Sequence, residues 1–138
     1  MNWLQDNLST LLLMAGLVVF LMRGPVLARA TGVETITVHE LAKLLASATP
    51  PLLLDVRSQA EFDAGHLPQA ILIPLPTLRQ HTEALQQRAA SRAVAVICRS
   101  GNRSVHGAVL LKRAGFGTVF NVAGGMLNWQ VQGYPVRT

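Results

Sequence analysis

Downstream of residue 32 the chain alternates short apolar runs with longer segments whose apolar positions recur at helical spacing. Leu52-Leu53-Leu54-Asp55-Val56, Ile71-Leu72-Ile73, Val94 to Ile97 and Val119 to Val122 are predominantly apolar runs too short for helices. Runs of that kind predict strands buried on both faces, with Thr35-Ile36 as a first strand ahead of them. Thr37-Val38-His39-Glu40 and Ser58-Gln59-Ala60-Glu61 share the Thr/Ser-x-x-Glu pattern, in which a hydroxyl and a carboxylate close a helix N-terminus reciprocally. The first opens a helix through Leu41, Leu44 and Leu45 that Pro50-Pro51 ends, and the second opens a brief helix that Gly65 closes. Leu78 and Leu85 predict a helix from Thr77 to about Arg88. Val105, Ala108 and Val109 predict another from Arg103 to Ala114 with Gly115 as its cap. A last helix runs from Gly124-Gly125 through Trp129 and ends at Gly133, with Pro135 beyond. Strands alternating with helices predict an α/β fold: a mainly parallel central sheet of about five strands with helices on both faces.

The pattern before residue 32 is different. Leu11 to Met22 carries no polar side chain, and the apolar segment reaches back to Leu8 through Ser9 and Thr10. It reads as one transmembrane helix, residues 8–22, which divides the chain into an anchor and linker, 1–29, and a folded domain, 30–138. At about 1.5 Å per residue Leu8 to Met22 covers only about 22 Å of a hydrocarbon core roughly 30 Å thick. Trp3, Leu4 or the Arg23 to Ala28 stretch must therefore contribute to the span. A cleaved signal peptide is the first alternative, since Val26-Leu27-Ala28 and Ala28-Arg29-Ala30 resemble cleavage sites, but the leading residues hold Asp6 and no Lys or Arg. A helix docked on the domain is the second. Arg23 and Arg29 follow the segment and no basic side chain precedes it, which places the domain in the cytoplasm and the chain in the inner membrane as a single-pass protein.

Within 138 residues there is room for one domain and an appendage. The net charge of +5 comes from basic residues that are mostly isolated, without interleaved aromatics, so no nucleic-acid partner is expected. His39, His66, His81 and His106 are scattered and the chain has one cysteine, which leaves no zinc site and no intrachain disulfide.

That cysteine carries the chemistry. Cys98 ends the run Ala93-Val94-Ala95-Val96-Ile97 and opens Cys98-Arg99-Ser100-Gly101-Asn102-Arg103-Ser104, where a strand turns into a helix. Such a crossover aims backbone N–H groups and the positive end of a helix at one spot, an anion cradle. Arg99 and Arg103 add positive potential that favours a thiolate. A cysteine can also act as a small core hydrophobe, but the polar loop here is expected to expose what it holds. Asp55, Cys98 and Ala123-Gly124-Gly125 all follow strands and so belong at one edge of the sheet, where ligands bind in open α/β folds. Asp55, with Arg57 close by, reads as a structural support pairing with loop amides or an arginine. His66 reads as satisfying backbone groups, and Trp129 as core.

These residues resemble the rhodanese family of sulfurtransferases. The resemblance runs from Val33 to Val136 in three patches: Asp55-Val56-Arg57 with Glu61-Phe62 and Gly65-His66-Leu67-Pro68; Cys98 to Ser104; and Gly124-Gly125-Met126 with Trp129 and Gly133-Tyr134-Pro135-Val136. Gln69 and Leu72 depart from the glycine and asparagine common at those positions, outside the cysteine loop. The resemblance implies a rhodanese-like three-layer sandwich, with Cys98 as catalytic residue carrying sulfur as a persulfide. Arg99, Ser100, Gly101, Asn102, Arg103 and Ser104 are then the anion cradle, and Arg103 and Arg99 bind the oxyanion leaving group. The partners are a small sulfur-containing anion such as thiosulfate as donor and a thiol or protein as acceptor, with no metal or organic cofactor required. Two other readings compete. A cysteine phosphatase places an arginine six positions after its cysteine, where this chain has Ser104. A membrane-tethered carrier or binding module would use the same surface without turnover.

Overall fold

The computed structural model describes residues 3–138. Five strands form one sheet in the order β1-β5-β4-β2-β3, with β1 at Glu34–Ile36, β2 at Leu52–Asp55, β3 at Ile71–Leu72, β4 at Val94–Ile97 and β5 at Val119–Val122. All four pairings are parallel, as consecutive buried apolar runs require. Six α-helices accompany them: α1 at Trp3–Thr31, α2 at Val38–Leu45, α3 at Gln59–Asp63, α4 at Thr82–Ala89, α5 at Asn102–Arg113 and α6 at Gly125–Val131.

Alternation along the central strands sorts side chains into two cores. Leu52, Leu54 and Val56 of the β2 region and Val94, Val96 and Cys98 of the β4 region point to the face covered by α4 and α5, where Leu85, Val105, Val109 and Leu111 meet them. Leu53, Ala95, Ile97 and Val122 point to the other face, against Val38 and Leu41 of α2 and Met126 and Trp129 of α6. The three-layer α/β sandwich expected from the sequence is therefore present. Both Thr/Ser-x-x-Glu motifs close as capping boxes, at Thr37 for α2 and Ser58 for α3.

The segment expected as one helix from Thr77 to Arg88 is instead two pieces, a 3₁₀ helix Leu75–His81 followed by α4. Pro76 sits in the first turn with no side-chain cap, and Leu78 and Leu85 are both buried, so the apolar spacing is met without a continuous α-helix.

The N-terminal segment departs further from expectation. α1 continues past Gly24 and Pro25 to Thr31 and closes at Gly32, whose φ of 79° is the left-handed turn that ends a helix without steric cost in glycine. Among the described residues no helix is long and apolar enough to cross a membrane. A transmembrane helix confined to residues 8–22 thus finds no support, because its rise of about 22 Å is too short for the roughly 30 Å core. α1 instead contacts α5 and β1, as the docked-helix alternative requires, although Leu12, Leu13, Met14, Leu17, Val18 and Val19 remain exposed. The side chains of Leu27, Ala28 and Arg29, which entered the cleavage-site and orientation arguments, lie outside the described residues.

Candidate active site

Cys98 follows the last residue of β4 and faces α5, the parity it shares with Val94 and Val96. Its side chain is 1% exposed, so the polar loop wraps the sulfur instead of presenting it to solvent, contrary to the expectation of an exposed thiol. The wrapping is specific. The Gly101 N–H donates to Sγ at 3.1 Å, and the thiol donates to Ser104 Oγ at 3.4 Å. Gly101 reaches this position at φ 102°, a left-handed conformation that also makes it the residue before α5. No side chain caps α5, so its first N–H groups and the positive end of its dipole are left facing the loop.

Behind Ser104 stands Asn121. The Ser104 hydroxyl donates to Asn121 Oδ1 at 2.6 Å, and both residues are buried. Asn121 shares the strand parity of Val119, which packs on the α5 side, and pairs in register with Val96. Sequence reasoning overlooked it, though an asparagine inside the buried run Val119-Phe120-Asn121-Val122 is a signal, since a buried amide needs partners. A hydroxyl has one proton and rotates freely, so Ser104 can give it to Asn121 while the sulfur is a thiol and turn it to the sulfur when the sulfur is an anion.

Beneath the loop, α6 holds its backbone. The Met126 N–H donates to the Cys98 carbonyl at 2.9 Å and the Leu127 N–H to the Arg99 carbonyl at 3.0 Å. Close approach demands glycine at 125. A Cβ there would overlap the Cys98 carbonyl oxygen and lie 2.7 Å from that of Arg99.

The two buried or half-buried guanidiniums near the loop are both engaged by carboxylates. Arg57 Nε bonds Asp55 Oδ1 and Oδ2 at 3.0 Å and its Nη2 bonds Oδ2 at 2.7 Å, while Nη1 and Nη2 reach the carbonyls of Glu61 and Gly65. Asp55 and Arg57 thus clasp the end of β2 to the turn after α3, the supporting role expected. Arg103 has a partner that the sequence did not name. Its two terminal nitrogens bond Glu61 Oε1 and Oε2, each at 2.7 Å, a fork-to-fork pair with α3, and its affinity for a proton is raised chiefly by that bond, with the nearby Cys98 sulfur adding to it. The Arg103 bond is the chief reason the Glu61 carboxyl is held down to about 2, with its Ser58 bonds assisting against burial. Arg99, Ser100 and Asn102 are exposed on the loop. His66 Nδ1 donates to the Phe62 carbonyl at 2.8 Å, and Trp129 is buried with its Nε1 donating to the Pro135 carbonyl, as read from the sequence.

On the outer side of the loop is a cavity of about 470 Å³. It is lined by Ser100, Gly101 and Asn102 of the loop, by Asn121, Ala123 and Gly124 at the end of β5, and by Phe20, Leu21 and Arg23 of α1.

Residues 37–132 match the rhodanese-like domain. The chain belongs to that family. This rhodanese-like domain is 32% identical to a sulfurtransferase of Allochromatium vinosum, over 75% of this chain and 94% of that protein. It is 34% identical to the probable adenylyltransferase/sulfurtransferase MoeZ of Mycobacterium tuberculosis over 78% of this chain, and that match spans only 27% of MoeZ. Among solved structures, a rhodanese-related protein from Thermoplasma volcanium superposes with a TM-score of 0.66 at 32% identity, covering 75% of this chain and 97% of that one. Every residue of the Cys98 loop, and Asp55, Arg57 and Asn121, lies inside the matched range, whereas Phe20, Leu21 and Arg23 lie outside it.

Proposed function

We propose that this rhodanese-like domain is a sulfurtransferase that carries a sulfane sulfur on Cys98. The observation that carries the reading is the sulfur's setting: a lone thiol at a strand-to-helix crossover, bonded by the Gly101 N–H and the Ser104 hydroxyl and facing the uncapped start of α5. The Gly101 N–H and the helix start, joined by the Ser104 hydroxyl once it rotates its proton from Asn121 to the sulfur, stabilise a sulfur anion without any metal. The resemblance of the chain to proteins named sulfurtransferases supports the same chemistry.

In the first half-reaction the Cys98 thiolate attacks the outer sulfur of a donor such as thiosulfate. A new S–S bond forms at Cys98, the donor's S–S bond breaks, and sulfite leaves with the electron pair. In the second, a nucleophilic acceptor, a thiolate or cyanide, attacks the terminal sulfur of the persulfide and Cys98 departs as thiolate. Each step is a displacement at sulfur, and the enzyme ends as it began. Incubating the full chain with thiosulfate is expected to add the mass of one sulfur atom, and cyanide to remove it as thiocyanate. Cys98→Ser should abolish both while the melting temperature stays within a few degrees. Sulfur uptake by a folded Cys98→Ser protein would overturn the mechanism.

A separate proposal concerns location. We infer that α1 attaches the domain to the inner membrane with the domain on the cytoplasmic side, an attachment that needs residues beyond 8–22 to complete the apolar thickness. Its support is the exposed apolar surface from Leu8 to Val19, ahead of the part of α1 that lines the cavity, and the arginine that follows it. Retention in the membrane fraction after alkaline carbonate extraction is expected, and release into the supernatant would refute it.

A further inference from the structure

We propose that α1 completes the substrate site, and that Arg23 is the residue that selects an anionic sulfur donor. The inference deepens the sulfur-transfer reading and rests on the same cysteine loop.

Cys98 is buried, so a donor reaches it only past the groups that wrap it. Gly101, whose N–H bonds the sulfur, and Asn121, whose oxygen bonds Ser104, both line the 470 Å³ cavity, so it adjoins the groups that hold the sulfur although Cys98 itself is not part of its lining. A volume in this range suits a small ligand. The loop cations are not part of this cavity's lining: Arg103, though near enough to Cys98 to feel its charge, is bonded to Glu61 by two 2.7 Å contacts, and Arg99 is exposed elsewhere on the loop. Among the described residues that line the cavity, Arg23 is the one bearing a permanent charge.

Its guanidinium lies over the Phe20 ring, 4.1 Å from the centroid. Stacking on an aromatic face holds a guanidinium in place while leaving its N–H edge free to meet an anion. Phe20 and Leu21 give the same wall an apolar surface against which the uncharged part of a donor can rest. An anion entering here meets Arg23 beside the Ser100 to Asn102 stretch of the cysteine loop. Because α1 lies outside the matched family range, donor selection on this wall is a property of this chain's own N-terminal segment.

The test uses the full chain and a pair of alkylating probes of the same size, anionic iodoacetate and neutral iodoacetamide, reacting with Cys98. Arg23→Gln is expected to slow iodoacetate by roughly three- to tenfold, the effect of removing one exposed rim charge, and to leave iodoacetamide within about twofold. Arg23→Lys should retain most of the iodoacetate rate, and about 1 M salt should erase the difference between wild type and Arg23→Gln. With thiosulfate, Arg23→Gln should raise KM by a similar factor with little change in kcat. An unchanged ratio of the two alkylation rates in Arg23→Gln, or an equal fall in both, would overturn the proposal. If Cys98 takes up no sulfur from any donor and the iodoacetate rate still falls selectively, sulfur transfer is refuted while Arg23 stands as the anion-selecting residue.

Discussion

Replacing either member of the Arg103–Glu61 pair distinguishes a clasp from a substrate contact. The pair joins the first turn of α5 to α3 through two parallel 2.7 Å bonds, with side chains 39% and 32% exposed. The drop of the Glu61 carboxyl from an ordinary 4.5 to about 2 sets a ceiling of roughly 3.4 kcal/mol, at about 1.36 kcal/mol per tenfold change in affinity for a proton. Solvent screening at this exposure brings the expected coupling to about 1–2 kcal/mol, between an ordinary surface pair and a buried one. Glu61's affinity for a proton is lowered by folding, so the stabilisation is fully present above about pH 4.5 and is lost as pH falls toward about 2. The assay is urea unfolding of wild type, Glu61→Gln, Arg103→Gln and the double variant, at pH 7 and again near pH 2.5. At pH 7 the double variant should lose about 1–2 kcal/mol less than the two single losses taken together. Near pH 2.5 that coupling should be sharply reduced. Both single variants should slow sulfur transfer to a similar extent, because each frees the start of α5. Additive losses at pH 7, or a rise in KM for thiosulfate in Arg103→Gln that Glu61→Gln does not share, would refute the clasp and return Arg103 to the substrate.

Two further substitutions probe the loop. Gly125→Ala should cost more than about 3 kcal/mol or prevent folding, because its Cβ meets backbone oxygens that cannot yield; Gly133→Ala has a similar φ of 78° with nothing within 4 Å and should cost only about 1–2 kcal/mol, so equal losses in thermal melts would refute the clash. Ser104→Ala should slow sulfur loading of Cys98 by roughly ten- to a hundredfold with the fold retained, the worth of one hydrogen bond to a charged sulfur, and unchanged loading kinetics by mass spectrometry would remove Ser104 from the cradle.

Much of this arrangement was written locally in the sequence. Consecutive apolar residues at 52–54 and 94–97 have no polar face, and that property alone implied a parallel sheet covered on both sides. The capping boxes at Thr37 and Ser58 involve groups three residues apart, so they too were legible. The strand-to-helix crossover at Cys98 was legible because strand, glycine-containing turn and helix follow one another within a few residues. What the sequence concealed were pairings across space. Arg103 and Glu61 are 42 residues apart, and nothing local to either names the other. Cys98's burial follows from strand parity with Val96, a fact that outweighed the polar character of the residues after it. Asn121 looked like an interruption of a strand until Ser104 stood beside it. The apolar run of α1 matched a membrane pattern so closely that its docking against α5 left no trace in composition.

The engaged guanidiniums bear on which anion the site can process. Transfer of a phosphoryl group spreads negative charge over several oxygens and calls for a cation aimed at them. Here the sixth position after Cys98 is Ser104, whose hydroxyl is occupied with the sulfur and Asn121, and Arg103 faces Glu61. Arg57 is neutralised by Asp55 in the interior. The loop itself therefore offers one amide at 3.1 Å, a helix terminus and a hydroxyl at 3.4 Å that can turn its proton from Asn121 to the sulfur, a set sized for a single sulfur charge. Such a set is matched to an anion that is compact and attached to the protein, the thiolate or its persulfide, while the charge of the departing group is left to the rim. On the proposal made for α1, the cation that meets the departing group then comes from outside the loop, from Arg23 in the lining of the adjoining cavity.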